Sequence, residues 1–422
     1  MPNQPWWKEP TKAQWSAFIA AWSGWVLDAF DFTIYLLVAK HIASEFHVSR
    51  LAVAGSITLT LLVRMLGGAV AGWMADRWGR KLPLMLSLVW FAVFDAAIFF
   101  APSFAWVIVL RTIFGFGMGA EWTAGTALAM ESWPARTRKL ASGLLQAGWP
   151  IGFLLAAVVA TFVVPLGWRY MFLIAAVPAL LVLPIRFMVP DELGGPPATR
   201  KASAGFRAAV AELTAPGILR MIVLGTAVTA LGFVVYYGLT ANYALALITE
   251  HGMTEQSAYL SIIIFNLGML VGVIAAGSFA NRFGVIAALV APALLMIPFL
   301  PLFVGAVPAL LPVGAFLGGA LGVGYSGVTP VLTTSLFPAH VRARAIGVVY
   351  HLGALIAAFV PAATVELADK TSLTLSSSIG VVSGAGLLAM ALAVLATRRY
   401  LAPAESLDSP DSSAAPADAA AA

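Results

Sequence analysis

The stretch "GWMADRWGRK" (residues 72–81) has a weaker copy, "GSFANRFGVI" (residues 277–286), and this pair decides the fold. Related residues recur at an offset of 205, where Gly72, Asp76, Arg77 and Gly79 correspond to Gly277, Asn281, Arg282 and Gly284. The register continues downstream, with Gly117 and Gly119 matching Gly322 and Gly324 at 205, and Pro134, Arg138 and Gly143 matching Pro338, Arg342 and Gly347 at 204. Three matches in register indicate a duplicated unit.

The composition indicates a membrane protein. Of the 422 residues, 61% are hydrophobic and only 10% are charged, and the mean hydropathy is +0.92. Apolar runs of about 20 residues, the length that a membrane-crossing helix needs, recur along the chain without the alternation of a barrel. The sequence predicts an all-α membrane protein with twelve transmembrane helices, near 15–38, 52–73, 82–101, 105–130, 141–164, 168–189, 218–247, 258–280, 284–304, 307–336, 344–366 and 373–397.

The predicted helices divide into two pseudo-symmetric six-helix bundles. An N-terminal bundle covers residues 15–189 and a C-terminal bundle covers 218–397, joined by a polar cytoplasmic linker at 190–217. The remaining parts are an N-terminal cytoplasmic segment, 1–14, and a cytoplasmic tail, 398–422, whose composition predicts disorder. Parallel repeats of this kind place substrate between the halves near the membrane midplane, and rocking of one half against the other gives alternating access.

The basic residues follow the topology of a membrane protein. A net charge of +5 and a pI near 9.5 could suggest nucleic acid. With the N-terminus inside, however, 18 of the 24 Lys and Arg lie in cytoplasmic segments, as the positive-inside rule expects. We therefore expect a multi-pass protein of the cell inner membrane, surrounded by the lipid bilayer, with both termini cytoplasmic and no nucleic-acid partner. The absence of cysteine excludes disulfides and thiolate chemistry.

The sequence resembles the major facilitator superfamily. The superfamily's loop signature, Gly-x-x-x-Asp-Arg-x-Gly-Arg-Lys, is complete at 72–81, and "RTIFGFGMG" (111–119) is similar to its fourth-helix motif. More narrowly, "RMLGG", "GMGAEW", "ESWPARTRKLASG" and "GWRYMF" resemble the branch of proton symporters for sialic acid, which also holds lactate and pyruvate carriers. The extra middle segments of bacterial sialic acid carriers and the seventh-helix signature of fungal lactate carriers are missing, which leaves the substrate open.

Six charged residues fall well inside the predicted helices, away from their ends. A charge at the membrane centre costs on the order of 3 kcal/mol, so each needs a partner or a polar cavity. Four of them are acids and two are bases, so full ionisation would leave two uncompensated negative charges. We therefore expect at least one acid to take up a proton readily. The six are Asp28, Asp31, Arg64, Asp95, Arg111 and Glu121.

Three of the acids are candidates for proton coupling: Asp28, Asp31 and Glu121. The two aspartates are three residues apart, about 60° around a helix, so both can face one cavity. The alternative is that they pair with an arginine as structural ion pairs. Asp95 is the weaker candidate, because it can simply face the outer vestibule.

Substrate binding is predicted mainly at the two membrane arginines, whose planar guanidinium groups suit a carboxylate. Both could instead form internal ion pairs, and the resemblance also assigns the fourth-helix arginine to proton-linked gating. Softer polar and aromatic groups complete the prediction, although tyrosine, asparagine and neutral histidine also serve as contacts between helices. The candidates are Arg64, Arg111, Gln146, Trp149, Asn242, Asn266, Tyr350 and His351.

The loop motif is predicted to form a gate. Asp76 can sit at the N-terminus of a helix from its own half or pair with basic loop residues, and such a cluster can hold one state of the rocking cycle. A topology signal alone would explain the loop's basic residues but neither the acid nor the glycines. The predicted gating residues are Gly72, Asp76, Arg77, Gly79, Arg80 and Lys81.

The prediction as a whole is a monomeric proton symporter that imports a small organic acid anion, such as lactate, pyruvate or a sialate-like acid. The proton gradient supplies the energy, with no cofactor or metal. A proton-driven antiporter that exports drugs or metabolites and an aromatic acid symporter remain as alternatives. An enzyme is disfavoured because the chain lacks cysteine and its five histidines are scattered.

Overall fold

The computed structural model describes residues 5–177, 185, 187–190, 193 and 206–401. Within these residues all regular structure is helical. Parts of the predicted sixth helix (178–184 and 186), of the linker and of the tail lie outside the described residues. The N-terminal half contains α1 (Lys12–Glu45), α2 (Arg50–Trp78), α3 (Lys81–Phe99), α4 (Phe104–Ser132), α5 (Ala135–Leu166) and α6 (Tyr170–Ala175).

The C-terminal half repeats this order. It contains α7 (Pro216–Thr249), α8 (Glu255–Phe283), α9 (Val285–Phe303), α10 (Pro308–Ser335), α11 (Arg342–Lys370) and α12 (Leu375–Ala396). A short linker helix, Phe206–Leu213, precedes α7. Ten of the described helices are long and apolar enough to cross a membrane. The 34-residue α1, which carries the two aspartates, is also long enough at about 1.5 Å per residue.

Local sequence signals set the helix ends. Thr11 begins α1 with a capping box, since its Oγ1 accepts from the Gln14 amide at 3.2 Å and Gln14 Oε1 accepts from the Thr11 amide at 2.8 Å. Gly79 ends α2 with φ of 96°, and Gly284 ends α8 with φ of 88°. Both values lie where glycine is favoured. The two glycines are partners in the sequence repeat, so the same residue makes the same turn in both halves.

Glycines also bring helices into backbone contact inside the N-terminal bundle. A Cβ on Gly67 of α2 would lie 1.8 Å from the Phe116 carbonyl oxygen of α4, and one on Gly119 would lie 2.1 Å from the Arg64 carbonyl oxygen. Small residues at such crossings are the usual means of close packing between membrane helices. This packing holds Arg64 beside the charged helix α4.

The two halves meet closely at the end of the molecule that holds residues 72–81, here called the 72–81 face. A Cβ on Gly72 of α2 would lie 2.7 Å from the Arg344 Cα of α11. At the matching crossing of α5 and α8, a Cβ on Gly277 would lie 2.7 Å from the Lys139 carbonyl oxygen. The halves are therefore shut against each other at this face.

Candidate functional site

A cavity of about 80 Å³ lies between the halves. This volume is well below the roughly 300 Å³ at which typical ligand pockets begin, so the cavity is contracted in this conformation. Arg64 is the single charged side chain among the described residues that line it. Nine further lining residues carry aromatic or amide side chains: Trp25, Phe32, Gln146 and Trp149 from one half, and Phe233, Tyr236, Tyr237, Tyr325 and Tyr350 from the other.

Arg64 is held at the cavity wall by Asp28. Its Nη2 donates to Asp28 Oδ2 at 2.9 Å, and the two side chains are only 6% and 0% exposed. The Arg64 Cζ lies 5.8 Å from the centroid of the Tyr350 ring, a distance at which cation–π attraction operates. Within the described residues, neither Arg64 Nε nor Asp28 Oδ1 has a hydrogen-bond partner. The pair is neutral, and it keeps unused capacity for a further ligand.

Aromatic rings surround this pair. Trp122 stacks on Tyr350 with centroids 4.2 Å apart, and Trp25 contacts Trp122 at 4.5 Å. Phe233 meets the edge of Tyr350 at 5.0 Å, and Trp149 lies 4.9 Å from Trp25. Rigid rings of this kind offer large apolar contact at little entropic cost. The cavity therefore combines one cation with flat aromatic walls.

Besides Arg64 and Trp25, three lining side chains carry polar atoms without a partner. Gln146 Oε1, Thr229 Oγ1 and Ser326 Oγ are buried and form no hydrogen bond with any residue that the structure describes. A buried polar group left unmade costs about 1–3 kcal/mol, so a bound polar ligand that satisfied these atoms would gain affinity. In contrast, Trp149 Nε1 already donates to the Tyr236 hydroxyl at 3.0 Å.

A second charged cluster lies inside the N-terminal bundle, away from the cavity lining. Arg111 Nη1 of α4 is 3.5 Å from Asp95 Oδ1 of α3, and its guanidinium stacks on Tyr35 at 4.7 Å and on Phe114 at 4.2 Å. Asp31 interacts electrostatically with both members of this ion pair, and its two oxygens have no hydrogen-bond partner among the described residues. One base thus faces two acids that are fully buried.

The arrangement corrects two expectations from the sequence. Asp28 and Asp31 do not share one cavity, because Asp28 pairs with Arg64 at the cavity wall whereas Asp31 lies beside Arg111. Asp95 does not face an outer vestibule, since it is 0% exposed and paired with Arg111. The cause is helix rotation: the roughly 60° between the aspartates is enough to direct them to different neighbours.

Glu121 lies against α1 instead of the cavity. A Cβ on Gly24 would be 2.2 Å from Glu121 Oε1, so the absence of a side chain at Gly24 makes room for the carboxylate. Glu121 is 1% exposed, and its Oε2 has no hydrogen-bond partner in the described part of the chain. This acid has no ion pair with either membrane arginine among the described contacts, so it is the second buried acid without a base of its own.

Four predicted substrate-binding residues line the cavity and four do not. Arg64, Gln146, Trp149 and Tyr350 form part of its wall. The other four are Arg111, described above, and Asn242, Asn266 and His351. Asn242 donates to the Pro361 carbonyl oxygen at 2.9 Å, and Asn266 donates to Ile262 of its own helix at 2.9 Å. His351 Nε2 is 3.1 Å from the Gly119 carbonyl oxygen.

The lining also includes residues that the sequence prediction omitted, above all Trp25, Tyr236, Tyr237, Tyr325 and Ser326. Trp25 lies three residues before Asp28, on the same side of α1, and this spacing was the available signal. Tyr236 and Tyr237 form an adjacent polar pair in an otherwise apolar helix. Nothing in the local sequence distinguishes Ser326 from other helix serines.

The predicted gating residues Asp76 and Arg80 belong to an ion-pair cluster that spans the two halves at the 72–81 face. Arg344 Nε of α11 donates to Asp76 Oδ2 at 2.8 Å, and its Nη2 contacts Glu212 Oε2 of the linker helix at 2.7 Å. Arg80 also contacts Asp76, at 3.4 Å. The sequence predicts either a helix N-terminus of its own half or basic loop residues as the partner of Asp76, and Arg80 is such a loop residue. The main partner comes from the opposite half, because Gly72 allows α11 to approach closely.

A second acid belongs to this ion-pair cluster. Glu131, at the end of α4, accepts from Arg80 Nε at 3.0 Å and from Arg342 Nη1 of α11 at 3.1 Å. Lys81 Nζ donates to the Val189 carbonyl oxygen at 2.6 Å. Arg77 is exposed and lies over the rings of Trp73 and Trp78, at 5.7 Å and 5.5 Å. We call the five residues Asp76, Arg80, Glu131, Arg342 and Arg344 the loop gate.

Comparison with known proteins agrees with this architecture. The Major Facilitator Superfamily model matches residues 21–361. A probable 4-methylmuconolactone transporter of Cupriavidus pinatubonensis is 30% identical over 372 residues, which cover 84% of this chain and 83% of the relative. The sialic acid transporter NanX of Escherichia coli is 28% identical over 359 residues, with 83% and 86% covered. The resemblance to organic acid carriers is thereby confirmed.

A solved structure has the same fold. The proton:xylose symporter XylE, bound to 6-bromo-6-deoxy-D-glucose, superposes with a TM-score of 0.75 at 20% identity, covering 94% of this chain and 98% of that chain. This likeness confirms the predicted twelve-helix fold and carries no information on substrate. The chain is thus a multi-pass membrane transporter and not an enzyme, and it belongs to the major facilitator superfamily.

Proposed function

We propose that the protein is a proton-coupled symporter that imports a small organic acid anion by alternating access. The observation that carries this proposal is the Asp28–Arg64 ion pair at the wall of the cavity between the halves. A cation at this position suits a carboxylate cargo, and an acid bonded to that cation provides the proton site. The proposed mechanism uses the proton gradient and no cofactor. The proposed site lies within one chain, which is consistent with a monomer.

Competition for one guanidinium would couple the two ligands. While Asp28 is ionised it occupies Arg64, so a substrate carboxylate would place two anions on one cation in a dry site. Protonation of Asp28 weakens its hold on Arg64 and frees the guanidinium for the substrate. Proton and anion therefore bind together as a neutral pair, which lowers the cost of moving them through a low-dielectric cavity.

The other buried acids extend the same proposal. Asp31 faces the Asp95–Arg111 pair, and Glu121 lies near Asp28 without an arginine of its own. Each is a candidate for carrying a proton in part of the cycle. Arg111, Asn242, Asn266 and His351 lie outside the cavity in this conformation, and their proposed contribution is to hold the helices in position.

The proposed orientation places the protein in the cell inner membrane with both termini in the cytoplasm. The support is the excess of Lys and Arg in the segments on one side of the membrane. On this assignment the loop gate is cytoplasmic and closed. Substrate and proton would enter from the opposite face, and opening of the 72–81 face would release both inside.

The cavity favours a flat acid. The relatives are named as carriers of 4-methylmuconolactone and sialic acid, which supports an organic acid in general. The aromatic rings that line the cavity, among them Trp25, Trp149 and Tyr350, favour an aromatic or conjugated acid in particular. An aromatic acid symporter is therefore the second candidate, and a proton-driven exporter of drugs or metabolites is the third.

Uptake by proteoliposomes tests these candidates directly. Purified protein would be given an inward proton gradient and a panel of lactate, pyruvate, sialate, a dicarboxylate and hydroxybenzoate. We expect accumulation of at least one acid, abolished by a protonophore, with the best uptake for a flat one. Proton-driven export of organic cations, without uptake of any acid, would overturn the proposal in favour of the antiporter.

The variant Arg64→Lys tests whether the substrate needs the guanidinium geometry of Arg64 or only its positive charge. Lysine keeps the positive charge but loses the planar, two-pronged donor geometry. We expect the KM for the transported acid to rise by roughly 10- to 100-fold, which corresponds to the loss of a charged hydrogen bond. Arg111→Lys is the matched control, because Arg111 does not line the cavity. A KM that rises equally in both variants would remove Arg64 from the substrate site.

A further inference from the structure

Helix α10 departs from α-helical geometry where it passes the cavity. A π-helical segment at Gly318–Val323 runs into a 3₁₀ turn at Gly324–Val328 before the α-helix resumes at Thr329. Such changes of pitch leave backbone groups without their regular i to i+4 partners. In a membrane these groups must be satisfied by other means, because no water is available to them.

A serine from the opposite half satisfies two of these groups. Ser142 of α5 donates its hydroxyl to the Gly327 carbonyl oxygen at 2.7 Å and accepts from the Val331 amide at 3.2 Å. Ser142 is completely buried. One side chain of the N-terminal half thus forms two hydrogen bonds at the junction where the 3₁₀ turn of α10 passes into the α-helix.

Backbone packing encloses these bonds. A Cβ on Gly143, the residue after Ser142, would lie 2.4 Å from the Val273 carbonyl oxygen of α8, and one on Gly327 would lie 2.1 Å from the same oxygen. Helices α5, α8 and α10 are therefore as close as backbones can be. Water cannot replace the Ser142 hydroxyl while the halves stay in this arrangement.

The same turn of α10 also forms part of the cavity. Tyr325 and Ser326 line it, and the Tyr325 hydroxyl donates to the Gly232 carbonyl oxygen of α7 at 2.5 Å. Ser326 Oγ is buried and has no hydrogen-bond partner within the described chain. One five-residue turn therefore faces the cargo site with its side chains and the N-terminal half with its backbone.

We propose that Ser142 is a positioning residue that bonds the cavity-lining turn of α10 to the N-terminal half and thereby holds the 72–81 face shut. When the halves separate at this face, water reaches Gly327 and Val331, so the serine is needed only in the closed state. The hydroxyl therefore stabilises the closed state selectively. A ligand that bonded Ser326 would act on the same turn, which would connect cargo binding to release of Ser142. This link to cargo rests on the proposed function, whereas the action of Ser142 on the closed face does not.

A single reporter cysteine tests the proposal, because the chain contains no cysteine of its own. Ala343→Cys places a thiol on α11 at a position that is 0% exposed and packed against Ala75 and Ala127 of the other half. In the closed state the thiol is shielded, and separation of the halves exposes it. The rate of labelling by a water-soluble maleimide, without any substrate, then measures opening of the 72–81 face.

In this background, Ser142→Ala is compared with Ser132→Ala. Ser132 is also a buried serine of the N-terminal half, but its hydroxyl donates to Leu128 of its own helix, at 2.7 Å. We expect Ser142→Ala to raise the labelling rate roughly tenfold, because two buried backbone groups lose their partner only in the closed state. Ser132→Ala should label within about twofold of the parent.

Further variants keep the outcome decisive. Ser142→Gly removes the same hydroxyl together with the Cβ, and it carries the same expectation if Ser142→Ala does not assemble. Ser142→Thr keeps the hydroxyl and should return labelling toward the parent rate. Equal labelling of the Ser142 and Ser132 variants, or equal labelling of Ser142→Ala and Ser142→Thr, would overturn the proposal. None of these results depends on whether the cargo is an organic acid.

Discussion

Proteoliposomes that contain the Asp28→Asn variant are expected to exchange substrate across the membrane but not to accumulate it against a gradient. Asparagine has the shape of aspartate and can still accept from Arg64, so the cavity wall at the 2.9 Å contact is retained. It cannot take up or release a proton. The variant should therefore behave as a uniporter, with the proton gradient disconnected from transport.

The size of this effect follows from the energy of the gradient. One pH unit is worth about 1.4 kcal/mol for each proton, which supports about a tenfold accumulation of an acid carried with one proton. The parent protein should approach this ratio, and Asp28→Asn should stay near equal concentrations inside and outside. Labelled substrate measures accumulation under a pH gradient, and the same vesicles loaded with unlabelled substrate measure exchange.

Asp95→Asn is the matched control for Asp28→Asn. Asp95 is also a fully buried aspartate in an ion pair with an arginine, but it belongs to the Arg111 cluster and not to the cavity wall. Asp31 remains beside Arg111 in this variant and can keep the arginine charge compensated. We expect the control to accumulate substrate. Normal accumulation by Asp28→Asn would instead move the coupling site to Asp31 or Glu121.

The helices could be predicted from the sequence because the bilayer sets their length. Each apolar run had to form a helix that satisfied its own backbone. The prediction placed the second helix at 52–73, whereas α2 extends over Arg50–Trp78, because its ends follow the Ser49 cap and the Gly79 turn instead of the apolar run. Polar end residues continue a membrane helix into the interface, and hydropathy does not report them.

The lining of the cavity could be predicted only in part, for a different physical reason. Membrane helices are apolar toward lipid and also toward each other, so periodicity does not show which face points inward. Tyr350 lines the cavity, whereas His351, the next residue, points toward the Gly119 carbonyl oxygen. Likewise, Asn266 bonds its own helix instead of lining the cavity. Charge balance was more informative, since it required partners for Arg64 and Arg111 before any geometry was known.

Asp76→Asn is expected to open the 72–81 face. Asp76 is bonded to Arg344 of the opposite half, and the two side chains are only 5% and 9% exposed. Breaking a buried ion pair by removing one partner typically costs about 3–5 kcal/mol, and the half-exposed Glu212 compensates only a small part of the Arg344 charge that remains. In the open state Arg344 reaches water, so the cost falls on the closed state alone. The equilibrium should shift by more than about 100-fold toward opening.

This shift predicts both a conformational change and a functional loss. With the reporter Ala343→Cys, the labelling rate of Asp76→Asn should exceed that of the parent by a larger factor than for Ser142→Ala. Uptake should fall by at least about tenfold, because each cycle must close this face again before the opposite face can open. The rate of substrate exchange should fall less than the rate of net uptake, if exchange does not require full closure of the 72–81 face.

The linker helix provides the control for the loop gate, because Arg344 also contacts Glu212, at 2.7 Å. The Glu212 side chain is 46% exposed, and an ion pair at such a position contributes about 0–1 kcal/mol. Glu212→Gln should therefore label and transport nearly as the parent does, although it removes a carboxylate from the same arginine. If Glu212→Gln opened the face as far as Asp76→Asn, closure would depend on the total negative charge near Arg344 and not on the contact with Asp76. A large difference between the two variants would assign closure to the buried contact between the halves, the feature that the motif at residues 72–81 encodes.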